Sequence, residues 1–551
     1  MFRRFALLLA APLILAAAAT PPPTITQVSN AGSWRTAGLS ASGIAQGSVF
    51  TILGSNLGPS TCTNPTTLPL PTTLCNVTLS VTVNGTSFAP YIYDMFYGQY
   101  ISAVLPSQTT PGNGTITVTY NNQTSVAFPI QVVTTAFGII TPMSNGLGQA
   151  SVTDANYNLN TIIHTLHPGD VGVLWGTGLG PISGSDATTP PGGNIGSPTV
   201  YVGNTALTLG SGLAYAGRSP SSYPGLDQIN FTVPSGVQGC YVPIAVSAGG
   251  AIANVATIAV SAAGTNTCSD SLLGQDLVNQ LAAGNNVSFG YIRLEATHNK
   301  VTGIAGNGYG VGDAAYATFT MFTPQTAYYA EYGVSSGYCV SNIEGLFSDL
   351  SLYLSQLDAG SVLSVEGPLV EPNSFSELFP GYYYTSLDST ANPAYLDFGE
   401  NYTIAGSGGA NVGPFSVTDT VNVPTAQFTG IVSSGQVFQR SSDLTIQWTG
   451  GNPAWQNGQV TIGGYSFTNS NQTPLAYFEC TAPVAAQKFI IPAWVLSTLP
   501  PSGSGQNGSL AYPFGAIWIG QYDTPVTFKA SGLDRGIISD AIFQGYLVTY
   551  Q

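Results

Sequence analysis

Glu366, Glu371 and Glu377 stand close together in the chain, and paired carboxyls are what glycoside hydrolysis uses, one as acid and one as base or nucleophile. Spacing along a chain does not bring two carboxyls face to face across a cleft, so the trio reads as surface acids. Ser335 is central in GVSSG, which matches the nucleophile-elbow pattern. That elbow needs a histidine downstream, and the three histidines, His164, His167 and His298, all precede it. With no βαβ alternation around it, a serine hydrolase of this type is excluded. His164, His167 and Asp170 in HTLHPGD have a spacing that a metal could use, but strand alternation would separate them and no fourth ligand is evident, so they read as a solvated loop. DANYNLN at 154–160 opens like an EF-hand loop. It carries Leu159 where the sharp turn needs glycine and Thr165 where the bidentate glutamate belongs, and reads as an Asn-rich hairpin turn. No cofactor is expected, although calcium held by dispersed loop oxygens would leave no motif. Tyr382 and Tyr384 in PGYYYTS fall on one face of a strand and Tyr383 on the other. Flat rings with polar tips cover the apolar faces of sugars, which makes Tyr382 and Tyr384 the candidate ligand-binding residues, with packing in the core as the first alternative. Trp448, Trp455, Trp494 and Trp518 are assigned mostly to the core.

These residues need elements to position them, and composition says which kind. The chain has 551 residues, room for three or four domains, with 6% charged residues, 44% hydrophobic ones and abundant Gly (66), Pro (37) and Tyr (29). Disorder needs fewer apolar residues and more charge, so the composition fits a folded all-β protein. A net charge of −15 argues against nucleic acid and anionic membranes as partners, and suits a soluble acidic surface. Residues 1–20 place Arg3 and Arg4 before an apolar run that ends in small residues, the pattern of a secretory signal peptide. That run is shorter than the roughly 20 residues of a spanning helix, so the expected location is exported, at the cell surface or outside it, with the periplasm as the other site. Six cysteines, an even number, favour disulfides over metal ligation in an exported chain. Cys62 and Cys75 bracket a loop whose closure would stabilise the fold by about 3 kcal/mol. Cys240 with Cys268 would pin the end of one domain to the start of the next, which leaves Cys339 with Cys480; connectivity beyond the first pair stays open at this point.

The glycine-rich stretch GSVFTILGSNLGP at 47–59 returns as GDVGVLWGTGLGP at 169–181, where Gly176, Gly178 and Gly180 imitate a phosphate loop. A dinucleotide fingerprint needs those glycines to open a helix, and both copies run into proline and coil instead. The first copy has Asn56 where the second has Gly178, so the middle glycine is dispensable. The glycines read as the corner where a strand leaves one sheet, with Leu57 and Leu179 tucked inward. The similarity continues through VTVNGTSFAPYIYDMFYGQYISAVLP and its counterpart from Val200 to Pro234, where Gln99 and Gln228 open matching strands. Two units of this length, each with turn signals every 8 to 12 residues, have the size and rhythm of immunoglobulin-like sandwiches. In order, VSNAGSW, GIAQGSVFTILGSNLGP, LPTTLCNVTLSVTVNG and GQYISAVLP, then PGDVGVLWGTGLGP and LDQINFTVP, closely resemble a paired domain of exported acidobacterial proteins related to the TIG (IPT) immunoglobulin-like fold. The resemblance covers about residues 25–260. It implies fold and export and carries over no active site; the pair would serve as a spacer for the long C-terminal region.

Beyond SAAGTNTCSD, Leu272, Leu273, Leu277, Val278 and Leu281 form one helical stripe, with Ser269 or Asp270 to cap its start and Gly284 its end. Strand patterns then return, as in DLSLYLSQL with Leu350, Leu352 and Leu354, and again from Phe428 to the final FQGYLVTYQ. LDAGSVLSVEGP, YTIAGSGGANVGPFSV and LTIQWTGG look like recurring pieces of exported acidobacterial proteins of unknown role. The reading is therefore an all-β chain: a signal peptide at 1–20, immunoglobulin-like (TIG/IPT-like) sandwiches at 21–135 and 136–262, a β-rich domain with one short helix at 263–425 and a sandwich-like domain at 426–551. The expected role is non-enzymatic adhesion or binding of a glycan or surface protein. An extracellular polysaccharide hydrolase with its site in the C-terminal region, and a structural surface component assembling through strand edges, are the alternatives.

Overall fold

The computed structural model describes residues 21–551 except 221, 269–271, 298–312, 330–333, 344–353, 369–372, 388–394, 424, 432–434, 456–457 and 508–509. The chain is all-β, and alternation makes the strands. In Val77–Val83, Val77, Leu79, Val81 and Val83 are buried while the Thr and Ser between them face outward. The first unit has principal strands β1 (Thr24–Asn30), β2 (Val49–Ser55), β3 (Val77–Val83), β4 (Tyr91–Phe96), β5 (Tyr100–Val104), β6 (Gly112–Tyr120) and β7 (Phe128–Val133). One sheet runs β1-β2-β5-β4 and the facing one contains β7-β6-β3. Phe50, Ile52 and Ile101 from the first meet Val81, Ile116 and Val118 from the second, which closes an immunoglobulin-like sandwich. The second unit repeats the plan with β8 (Val171–Thr177), β9 (Thr199–Val202), β10 (Gly212–Arg218), β11 (Asp227–Thr232), β12 (Gly239–Ala248) and β13 (Ala256–Val260). Its core sets Leu174, Ile229 and Phe231 against Val200, Val246 and Ile258.

The second glycine corner, at 177–180, joins the units, while the first, at 54–58, packs within its own. Leu57 and Leu179 are buried, and the residue before each has positive φ, +54° at Asn56 and +106° at Gly178. Asparagine tolerates that region; at Gly178 a side chain is also excluded, because a Cβ would lie 2.2 Å from the Ala136 carbonyl. Across the join the Val49 amide donates to Thr177 Oγ1 at 2.8 Å, and Asn30 Nδ2 donates to the carbonyls of Ala136 (2.9 Å) and Thr177 (3.1 Å). Arg218, ion-paired with Asp227 and fully buried, donates to the carbonyls of Gly47 (2.6 Å) and Gly180 (2.9 Å).

The helix α1 (Gly274–Ala282) buries Leu277, Val278 and Leu281, and the Gly284 amide returns to the Leu281 carbonyl at 3.0 Å. Ser269 and Asp270, the expected caps, and Leu350 and Leu352 lie outside the described residues, as does the 1–20 segment. After α1 come β14 (Val287–Thr297), β15 (Ala314–Phe322), β16 (Cys339–Ile343), β17 (Val362–Glu366), β18 (Asn373–Phe379), β19 (Tyr382–Ser386), β20 (Asn401–Gly406), β21 (Phe415–Thr420), β22 (Gln459–Phe467), β23 (Leu475–Pro483), β24 (Gly515–Tyr522) and β25 (Arg535–Tyr550). They join one sheet in the order β16-β23-β22-β24-β25-β14-β15-β19-β18-β17-β20-β21. The 263–425 and 426–551 segments share this layer, because β14 pairs parallel with β25 along its length, so the expected division between them runs through a single sheet. The sheet folds back on itself: Phe415 and Val417 of β21 share a core with Ile292 of β14, Phe319 of β15 and Ile538 of β25. A second core, holding Trp448, Trp494, Phe478 and Ile517, lies under the β16–β25 half, where α2 (Ala493–Leu496) covers it. Disulfides join Cys62 to Cys75, Cys240 to Cys268, and Cys339 to Cys480, the last linking residues directly opposite on β16 and β23.

Candidate ligand-binding face

The structure spreads most of the side chains that looked chemical. Glu366 is exposed, Glu377 accepts the Gly381 amide at 2.9 Å in a hairpin turn, and Glu371 lies outside the described residues. Ser335 accepts the Tyr241 amide through Oγ at 2.9 Å, a tie between the second sandwich and the C-terminal region. His164 lies 3.2 Å from Asp154, while His167 lies 2.9 Å from Asp170 and 2.6 Å from the Thr265 carbonyl. Acceptors at both ring nitrogens of His167 raise its pKa, Thr265 first and then Asp170, and occupy the two atoms a metal would need. Asp154 accepts the amides of Asn156 (2.8 Å) and Asn158 (2.9 Å), a turn in which its carboxylate is occupied by its own loop. His298 lies outside the described residues.

The tyrosines fall as alternation requires. Tyr383 is fully buried in the core, Tyr384 is 41% exposed on the opposite face, and Tyr382 is half-buried there, stacked on Phe379 with centroids 4.7 Å apart. Register extends this face across the sheet. Tyr384 is opposite Tyr316 on β15, Tyr316 is opposite Arg293 on β14, and Arg293 is level with Ser539 on β25. Farther along, Gly520 of β24 is opposite Phe543, and Trp518 of β24 is opposite Gly463 on β22, itself opposite Glu479 on β23. Paired residues share a face, so strands from β19 to β23 present one row of aromatic rings with two glutamates and one arginine among them.

Glycine lets two of those rings lie against the sheet. A Cβ on Gly463 would be 2.3 Å from the Trp518 indole, and one on Gly520 would be 2.3 Å from the Phe543 ring. Trp518 is half-buried on this face instead of joining the core with Trp448 and Trp494; Ile517 and Ile519, its neighbours, point into the core. Trp455 is also half-buried. At the centre the Arg293 guanidinium lies 4.6 Å from the Tyr522 ring centroid and 5.2 Å from that of Tyr316, and Nη2 donates to Glu295 at 2.8 Å. Burial opposes the charge of Arg293, while the ring faces of Tyr316 and Tyr522 and the carboxylate of Glu295 favour it. Burial keeps the Tyr316 and Tyr522 phenols neutral well beyond their usual range. Glu479 is pushed above the ordinary carboxyl range by burial, assisted by the charge of Glu295 and opposed by Arg293. Arg293 Nε is buried and has no hydrogen-bond partner among the described residues. None of Arg293, Glu295 and Glu479 was a sequence candidate, and strand alternation at each was the only signal they carried.

No family model matches this chain, and no curated protein matches it in sequence. Among solved structures, SGBP-B from a complex xyloglucan utilization locus in Bacteroides uniformis is 10% identical, over 96% of this chain and 100% of its own, with a TM-score of 0.17. The Bacteroides ovatus mixed-linkage glucan utilization locus SGBP-B, in complex with a mixed-linkage heptasaccharide, is 10% identical over 86% and 97%, with a TM-score of 0.15. Domains 4–9 of the surface layer protein SbsC are 12% identical over 95% and 65%, with a TM-score of 0.18. Likenesses this slight say nothing of what this chain binds.

Proposed function

We propose that this chain is an exported binding protein that holds a glycan on the aromatic face of its C-terminal sheet. The observation that carries this reading is the row of rings around Arg293, with the Trp518 indole laid over Gly463. Rings lying along a sheet stack on the apolar faces of sugars, and the charged groups between them bond to hydroxyls. Arg293 Nε, a buried donor with no acceptor among the described residues, is the kind of group a sugar hydroxyl would satisfy. Export is supported by the signal-like residues 1–20 and by three disulfides, which persist in oxidising compartments. Among the described residues no helix is long and apolar enough to cross a membrane. The two sandwiches serve as a spacer that carries the face outward.

A glycan array followed by calorimetry on the retained oligosaccharides tests this. Trp518→Ala and Tyr384→Ala should each weaken binding about tenfold, roughly 1.4 kcal/mol, with the fold of the Tyr384 variant unchanged. Retention of no glycan, or affinities that both variants leave intact, would sink the reading.

One observation favours a hydrolase as the second reading: register puts Glu479, whose pKa burial raises, on the same face as Glu295, which is paired with Arg293. Two carboxyl groups on one face are the kind of pair that glycoside hydrolysis uses as acid and as nucleophile or base. Release of reducing ends from a bound polysaccharide, abolished in Glu479→Gln while binding persists, would favour it over simple binding.

A further inference from the structure

We infer that Asp419, Asp523 and Asp540 form a calcium site at the end of the folded-back sheet, away from the aromatic face. Asp419 lies on the core-facing side of β21, following Phe415 and Val417 in the alternation. Asp540 lies on the core-facing side of β25, two residues from Ile538. Asp523 follows the end of β24 and closes the group from the rim. One carboxylate oxygen from each falls within 4.8 Å of the other two. Two ligands of one calcium ion, each about 2.3–2.6 Å from it, lie at most about 5 Å apart, so the group meets that limit as it stands. The donors are all carboxylate oxygens, the set that selects a hard divalent cation.

A cluster of acids can be mere surface, and the burial here says otherwise. Asp419 is 4% exposed and Asp540 is 1% exposed. Each has one satisfied oxygen: Asp419 Oδ1 accepts the Thr420 amide at 3.0 Å, and Asp540 Oδ2 accepts the Asn422 amide at 3.0 Å. The other oxygen of each, Asp419 Oδ2 and Asp540 Oδ1, is buried without a hydrogen-bond partner among the described residues. Asp523 is oriented by the Asn422 amide group, Nδ2 to Oδ2 at 2.6 Å, and by the Thr524 backbone amide at 2.5 Å. Among the described residues no basic side chain is ion-paired with any of the three. Two buried carboxylates from facing parts of a sheet, each with an unsatisfied oxygen, repel one another and lose hydration with nothing in return. A divalent cation bound between them reverses both costs, and water completes its shell.

The test uses the full chain freed of metal by chelation, titrated with calcium chloride and separately with magnesium chloride in a calorimeter, with the melting temperature followed in parallel. Calcium should bind and raise the melting temperature by several degrees. The bound stoichiometry should fall by one ion per chain, or the affinity weaken at least tenfold, in Asp540→Asn. Should that variant not fold, Asp523→Asn at the rim decides instead, with the same expected loss. No calcium binding, magnesium bound in its place, or unchanged stoichiometry and affinity in the variants would each overturn the assignment.

Discussion

At the scale of residues, side chains that look reactive in the sequence prove to be engaged in structural hydrogen bonds, within their own loops or to distant segments. His167 is the clearest case, because the Thr265 carbonyl and Asp170 both favour its protonated ring. A histidine with a raised folded pKa stabilises the fold fully below its unfolded value near 6.5, and that contribution fades as pH rises through the folded value. Its side chain is 22% exposed, so solvent screening keeps the contribution to about 0.5–1 kcal/mol. His167→Gln should therefore melt lower than the parent near pH 5.5 and level with it near pH 9; a constant gap across that range would contradict the assignment. The residues that do converge were illegible for a simple reason. Alternation tells which face of a strand Arg293, Glu479 and Trp518 occupy, but nothing local tells that β14, β23 and β24 share a sheet. The same holds for Asp419 and Asp540, which meet only because the sheet folds back.

At the scale of elements, local chemistry was legible and long-range pairing was not. The corner glycines, the stripe of α1 and the opposition of Tyr383 to Tyr382 and Tyr384 were each written in a short window. Their partners were not: the two glycine corners read as copies of one motif, and the packing of the second against Asn30 and Val49 of the first unit came only with the structure. Arg218 anchors that contact, fully buried with Asp227 and bonded to Gly47 of the neighbouring unit. Removing one member of a buried ion pair leaves the other charge uncompensated, at a cost of about 3–5 kcal/mol. Arg218→Ala should lower the unfolding free energy of the paired sandwiches by that amount in urea titrations, whereas replacing Arg218 and Asp227 together by Met and Leu should cost less. An Arg218→Ala protein within about 1 kcal/mol of the parent would show that the corner contact is incidental.

At the scale of the whole molecule, the paired sandwiches are built from neighbouring segments while the C-terminal sheet is knitted from distant ones. Cys339 and Cys480, separated by 141 residues, lock two of its strands, and β14 lies beside β25. A fragment of residues 426–551 therefore lacks the strand that covers one edge of β25, and should show no cooperative melting by circular dichroism, whereas 21–262 should melt cooperatively alone. A folded, soluble 426–551 fragment would refute this. β25 has a further consequence, in time. It is 16 residues long, sits between β24 and β14, and is the last of the described strands to be made. Until it arrives, β14 and β24 have no neighbour on that side, so the sheet waits for residues 535–550 while the two sandwiches can finish early. A chain cut short before β25 therefore completes its front modules and never assembles the aromatic face.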